Sequence, residues 1–455
     1  MASAIPQGLR DEIEQQTGSV IVSEKPRGGG GASRQGAEVL LRFADGRETQ
    51  CYLAWDARAG EASRLAYFQR ETAILSALSG PYRQAGIKVA PLVATFPSHL
   101  ALLSEFVGGN DRFALAQDKG KLATDFVGQL ATLHRLDASD PAFAELGDCT
   151  ELPSQRISQN LAQWSADNQS KVGDPVYQVA LHWLARNIPP DTGPAVVLHG
   201  DAGPGNFLFH EDRVTAIVDW ELTHLGDPAE DLAQIWVRSL IQPFVPMRNV
   251  FAAYSAAVGG AVDVARVKYH RLYFQLSFSV PSAVLAAAEG SRLGATGTAL
   301  MFGTMHKRVI VRAVAELAGI SLEEPDLPGI EPDWTERYFD TALADLQEEI
   351  VPAAGNQRAA SKAKELARLI KFWRMRARYG AAFDAAEFEE LKHFLPEAPD
   401  GLLPARSALT RAIADQSVDF SAAVQLCYNR VVRETVLMAD AMGGLATTWY
   451  DDFSQ

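Results

Sequence analysis

The amino-acid sequence predicts an α+β fold: a small β-rich lobe, a larger helical lobe, and an all-α domain behind them. Three observations predict it. Two apolar runs, EVLLRF and CYLAW, flank Asp45-Gly46 and read as a β-hairpin, with two more strand-like runs before residue 107. Beyond residue 108 the apolar spacing shifts to the helical period, and short strands return only between 196 and 220. From about Ala342 the pattern is helical, behind a Pro-rich break at 324–333. At 455 residues the chain exceeds one compact core, and the expected units are 1–107, 108–341 and 342–455.

Each element has its own signal. Residues 8–16 (GLRDEIEQQ) form a short helical pattern, followed by the run Gly28–Gly31 and then the hairpin. In EASRLAYFQRETAILSAL (61–78), Leu65, Phe68, Ile74, Leu75 and Leu78 fall near one helix face, and Gly80-Pro81 ends it. VAPLVATF and ALLSEFV read as strands, closing at Gly108-Gly109. Residues 121–137 and 176–188 are periodic helices; VVLHGD, NFLFH and VTAIVDW are strand-like; helices resume from Glu230, with a second Pro-rich break at 396–404.

Composition narrows the function. At 47% hydrophobic and 22% charged, the chain reads as an ordinary globular protein. A formal net charge of -14 offers no positive field to draw nucleic acid or an anionic membrane, so neither is an expected partner. Cys51, Cys149 and Cys427 are far apart, without the spacing of a zinc site or a disulfide framework. The N-terminus lacks an apolar signal core and no apolar run is long enough to span a bilayer, so a cytoplasmic location is expected. No pattern speaks to assembly, and a homodimer stays open.

The chemistry is concentrated in VVLHGDAGPGNFLFHEDRVTAIVDWELTHLGDPAEDLA, residues 196–233. A strand ends in the carboxylate of Asp201. A Gly/Pro-rich loop turns the chain so that Asn206 faces the same place, and a hairpin delivers Asp219 at a strand end. One base and two hard oxygen ligands suit magnesium, which leaves coordination sites for water and phosphates. Phosphoryl transfer needs this set, because the protein mainly positions groups and neutralises charge while a base meets the attacking hydroxyl.

HGDAGPGN and IVDWE resemble the catalytic loop and metal-binding strand end of the aminoglycoside phosphotransferase and choline kinase superfamily, whose fold is that of the protein kinases. The longer DWELTHLGDPAEDLA is most similar to the branch that phosphorylates hydroxyacyl-CoA thioesters. The tail resembles a helical domain of unknown function attached to such kinases. The resemblance covers roughly residues 20–320. It implies a small-molecule kinase with an alcohol acceptor, using ATP (or GTP) and Mg2+. Asp201 would be the catalytic base, Asn206 and Asp219 the metal ligands, and Asp227 and Asp231 supports behind them. An antibiotic kinase of the aminoglycoside type and a catalytically inactive binding protein are the competing readings.

On the nucleotide side the resemblance implies glycine-rich cover from Gly30, Gly31 and Ser33, an adenine hinge at Glu105, Phe106 and Val107, and a helix glutamate, Glu71, paired with a phosphate-binding cation. That cation belongs near the end of the third strand, yet Ala54 or Trp55 stands there. Arg42 on the preceding strand, or Arg58 just after, is the expected substitute.

Plainer readings stand beside these. Asp201 alone suits a turn. His199 is expected to support the loop rather than act as a base, Trp220 to be core, and Asp231 to hold the loop through backbone N–H groups. His224 is either a substrate contact or structural. The basic stretch 361–380 is expected to pair with the acidic AAEFEELKHF after it, ahead of receiving an anionic substrate.

Overall fold

The computed structural model describes residues 5–27, 34–56 and 62–451, which gather into two compact units. One comprises Met1–Pro153, Asp191–Val267 and Asp451–Gln455, the other Ser154–Pro190 and Lys268–Tyr450.

The first unit opens with α1 (Gln7–Thr17), stopped by Gly18 in the left-handed conformation. Strands β1 (Ser19–Arg27), β2 (Gln35–Phe43) and β3 (Glu48–Trp55) follow, then α2 (Ala62–Ser79), β4 (Leu92–Phe96) and β5 (Ala101–Glu105). They form one antiparallel sheet in the order β1-β2-β3-β5-β4. Strict alternation explains its inner face. Ala37, Val39 and Leu41 on β2 and Cys51, Leu53 and Trp55 on β3 pack against Leu9 and Ile13 of α1. Tyr52 and Ala54 take the opposite face by the same period. The strand β1 goes beyond the expected set of four. As an edge strand it exposes Val20 and Val22, so it shows no buried alternation to read.

The chain continues through α3 (Lys119–Leu133), α4 (Pro153–Asp167) and α5 (Pro175–Arg186). Four short strands come next: β6 (Val196–Leu198), β7 (Phe207–His210), β8 (Arg213–Ile217) and β9 (His224–Gly226). They pair as β6 with β9 and as the hairpin β7–β8. Helices α6 (Ala229–Ser239) and α7 (Met247–Val258) follow, then α8 (Val264–Ala287), α9 (Gly297–Ala318), α10 (Glu336–Asp345), α11 (Gln357–Phe394), α12 (Leu402–Ala414) and α13 (Phe420–Met442).

In the second unit, one apolar core joins Leu181 and Leu184 of α5, Leu272 and Leu276 of α8, Ile310 and Val314 of α9, Leu391, Leu409, Val424 and Val431. The expected division at 341/342 therefore runs through shared packing, since helices on both sides of it bury their stripes together. The basic and acidic stretches of the tail are likewise not two helices but the single α11 of 38 residues. Three of its arginines are engaged by carboxylates of the same unit that lie outside the expected AAEFEELKHF. Arg374 lies 2.5 Å from both Asp340 and Asp440, Arg376 pairs with Asp384, and Arg378 with Glu336. No helix among the described residues is long and apolar enough to cross a membrane.

Candidate active site

The loop after β6 is built by one face of α6. Asp231, Gln234 and Arg238 recur at helical spacing and all reach the segment 199–206. Asp231 is fully buried and accepts from the backbone N–H groups of His199 (2.9 Å) and Gly200 (3.0 Å), and from His134 Nε2 (2.9 Å). Burial alone would raise its pKa, but the His134 and His199 contacts outweigh that and hold it below the usual carboxylate range. Gln234 Oε1 accepts from Ala202 N–H at 2.9 Å. Gly200 sits at φ +86°, where a Cβ would fall 1.9 Å from the Leu222 carbonyl oxygen; no side chain fits.

His199 is buried and acts as a strut. Its Nδ1 accepts from Asp201 N–H (3.2 Å), so the proton must sit on Nε2, which donates to Val218 O (3.0 Å). Both ring nitrogens are thus committed to backbone. The support role expected for His199 holds, as does the loop-holding role of Asp231.

Asp201, at the apex, meets Asn206 and Arg238. Asn206 Nδ2 donates to Asp201 Oδ2 at 2.8 Å, and Arg238 Nη1 donates to the same oxygen at 2.7 Å. Arg238 Nη2 also reaches Asn206 Oδ1 and Pro204 O, both at 3.1 Å. Gly203 and Gly205 make room for this guanidinium: a Cβ at Gly203 would stand 2.9 Å from Arg238 Cδ, and one at Gly205 would stand 3.2 Å from its Nη2.

The β7–β8 hairpin sets Asp219 beside this group. Phe207 pairs with Ile217, and Val218 N–H donates to Asn206 O at 3.0 Å, so Asp219 follows directly. It occupies the left-handed region at φ +68°, which costs a non-glycine residue about 1–3 kcal/mol. Withdrawal from bulk water, then the Glu221 and Asp201 carboxylates, raise its pKa. Mutual repulsion of that kind is relieved by a cation. Asn206 Oδ1 and the Asp219 carboxylate are hard oxygen donors, and they fit magnesium.

The nucleotide-side expectations divide. Glu71, buried on α2, does have a cationic partner, Arg34, placed just before β2. Glu71 is raised to about 7, because burial lifts it by more than the Arg34 guanidinium lowers it. Arg34 Nε also lies 3.8 Å from Glu221, which Arg64 Nη2 approaches at 3.5 Å. Arg64 in turn holds Asp56 at 2.5 Å. Arg42 is corrected by the register. It pairs with Glu48 at the far end of the hairpin, 54% exposed, and has no part in the site. Gly30, Gly31, Ser33 and the alternative Arg58 lie outside the described residues.

At the hinge, Glu105 N–H donates to Pro91 O (2.8 Å) and Phe106 N–H to Gln50 O (3.0 Å). Those two donors are spent. Among the described residues the Val107 N–H has no backbone partner, so of the three hinge residues it is the one with a donor to offer.

Trp220 is core as expected, 1% exposed, with Nε1 donating to Ile217 O at 3.0 Å. His224 is held by Leu222 O (2.8 Å) and Glu230 (3.2 Å), which favours the structural alternative. Asp227 pairs with Arg266 and accepts from Ala229 N–H at 2.9 Å, also a structural role.

Sequence reasoning missed Arg34, Arg64, Glu221, Gln234 and Arg238. The spacing from Asp231 through Gln234 to Arg238 was a readable signal, since it puts all three on one helix face. Arg34 had only its place beside the glycine run.

Comparison with known proteins follows this geometry. The model of the phosphotransferase enzyme family matches residues 34–270. The chain is 30% identical over 130 residues to acyl-CoA dehydrogenase family member 11 of Rattus norvegicus, a match covering 27% of this chain and 16% of that protein. It is 34% identical over 106 residues to the Gallus gallus counterpart, covering 23% and 13%. The chain thus spans less than a fifth of the length of these relatives. Among solved structures, a Ralstonia eutropha protein described as a candidate aminoglycoside phosphotransferase superimposes with TM-score 0.53 at 16% identity, covering 69% of this chain and 98% of that one. At that identity the likeness establishes the fold.

Proposed function

We propose that this chain, which belongs to the phosphotransferase enzyme family, moves the terminal phosphoryl group of a magnesium-bound nucleoside triphosphate onto a hydroxyl carried by an acyl thioester. The observation that carries the reading is the contact of Asp201 with Asn206 at 2.8 Å, with Asp219 delivered alongside by the β7–β8 hairpin.

Asp201 is the base. Asn206 Nδ2 and Arg238 Nη1 both bind its Oδ2, which fixes the carboxylate plane toward an incoming hydroxyl. As the hydroxyl oxygen bonds to the γ-phosphorus, its proton passes to Asp201, and the bond from phosphorus to the β-γ bridging oxygen breaks, its electron pair leaving with the diphosphate. Asn206 Oδ1 and the Asp219 carboxylate would hold magnesium, which would supply charge neutralisation to the phosphates. Asp231, His199 and Gln234 keep the loop backbone from moving as charge shifts across it.

The acyl thioester comes from two supports. DWELTHLGDPAEDLA resembles the hydroxyacyl-CoA branch, and the curated relatives matched here carry the name acyl-CoA dehydrogenase. A phosphate ester is a better leaving group than a hydroxyl, so the product would suit a following elimination. The second reading is an aminoglycoside-type antibiotic, favoured by the net charge of -14, which would attract a polycation. An inactive binding protein loses its motive, because Glu71 has a cation after all.

The test is ADP formation from Mg-ATP with three acceptor sets: hydroxyacyl-CoA thioesters, aminoglycosides and simple alcohols. Turnover is expected with the thioesters and should fall at least about 100-fold in Asp201→Asn. Turnover with aminoglycosides alone would replace the substrate assignment. Equal turnover in Asp201→Asn would remove the base.

A further inference from the structure

Strand β3 (ETQCYLAW) contains no lysine or arginine, so it brings no positive charge to the phosphates. The register of the hairpin shows where one enters instead. Gln35 pairs with Trp55 and Gly36 with Ala54, so Arg34 stands one residue past the end of this pairing, where β3 should have been basic. By the strand period, positions 34 and 36 share the sheet face of Tyr52 and Ala54, away from the core formed by Val39, Leu41, Cys51 and Leu53.

We propose that Arg34 is the phosphate-binding cation of this enzyme, relocated from β3 to the start of β2 and oriented by Glu71 and Glu221. The proposal rests on the phosphotransferase reading. Arg34 pairs with Glu71 across 37 residues of sequence, and its Nε lies 3.8 Å from Glu221, two positions beyond the metal ligand Asp219. Glu221 follows Asp219 in the turn after β8, so this approach places the guanidinium on the Asp219 side of the site.

A purely structural ion pair would bind its guanidinium fully. This one does not: Arg34 Nε is buried with no hydrogen-bond partner among the described residues. A guanidinium has five N–H donors, and Glu71 engages one edge of it, so donors remain for an anion of fork geometry such as a phosphate. Arg64, between Asp56 and Glu221, braces Glu221 from the other side. Arg42, on β2 itself, is tied to Glu48 at the opposite end of the hairpin.

The experiment measures binding of Mg-ADP and of adenosine to wild type, Arg34→Ala and Arg34→Ala/Ala54→Lys, with thermal unfolding of each. Arg34→Ala should weaken Mg-ADP roughly 10- to 100-fold, the range for a lost hydrogen bond to a charged group, and leave adenosine within about 2-fold. Lysine at position 54 restores a cation on the same sheet face and should recover most of the Mg-ADP affinity. Unchanged Mg-ADP binding in Arg34→Ala would overturn the assignment. Equal loss of adenosine and Mg-ADP would also overturn it, showing a disturbed lobe rather than a lost phosphate contact. Wild type that bound neither ligand would instead refute the phosphotransferase reading beneath it.

Discussion

Replacing Asp231 by Asn tests how the catalytic loop is held. Three donors converge on this carboxylate, at 2.9, 3.0 and 2.9 Å, from His199 N–H, Gly200 N–H and His134 Nε2. An amide keeps one acceptor oxygen and turns an NH2 toward at least one of these donors. That donor is left buried and unpaired, at about 1–3 kcal/mol, and the charge-assisted bond to His134 weakens, at about 1.5–3 kcal/mol. The sum is about 2.5–6 kcal/mol with no compensating relaxation, because Asp231 is fully buried. For a unit of this size each kcal/mol shifts the midpoint by about 2–4 °C, so Tm should fall by roughly 10 °C. The kcat measured well below that Tm should also drop at least about 10-fold, since Asp201 N–H hangs on His199, which Asp231 fixes. Differential scanning calorimetry with ADP-formation kinetics makes the measurement. A variant with wild-type Tm and kcat would refute the claim that Asp231 organises the loop.

Other outcomes follow from the same geometry. Gly200→Ala must push a methyl into the Leu222 carbonyl oxygen, 1.9 Å from the ideal Cβ, at positive φ; soluble yield or Tm should collapse, read by calorimetry. Arg238→Lys keeps a charge but loses the fork spanning Asp201, Asn206 and Pro204, so kcat should fall about 10-fold or more with KM for ATP changed less, seen in steady-state kinetics. Glu71 titrates at about 7 in the fold against 4.5 ordinarily, so the folded chain holds its proton more tightly. Its stabilising contribution is complete below about pH 4.5 and is lost as the pH rises through 7. Glu71→Gln removes that slope, and the difference in Tm between pH 5 and pH 8, without nucleotide, should shrink relative to wild type.

The part of the site that sequence made legible is local. Asp201, Asn206 and Asp219 lie on one loop and one hairpin, so residue type and spacing alone place them together. The residues that were not legible meet through tertiary contact: Arg34 with Glu71, and Arg238 with Asp201, each 37 positions apart. Arg42 was the expected cation because composition does not reveal which end of a hairpin faces a site. In the fold, β3 and β5 showed themselves by buried apolar runs, while β1 stayed hidden because its valines face outward. The packing across the expected boundary at 342 was hidden for a related reason. Amphipathic stripes show that helices α11–α13 bury a face, not that the partners are α5, α8 and α9.

The most direct test separates the proposed base from the proposed metal ligand by binding alone. Calorimetric titration of Mn-ADP into wild type, Asp201→Asn and Asp219→Asn should give near wild-type affinity for Asp201→Asn and a loss of at least about 10-fold for Asp219→Asn. Asp219→Asn binding as tightly as wild type would contradict the account.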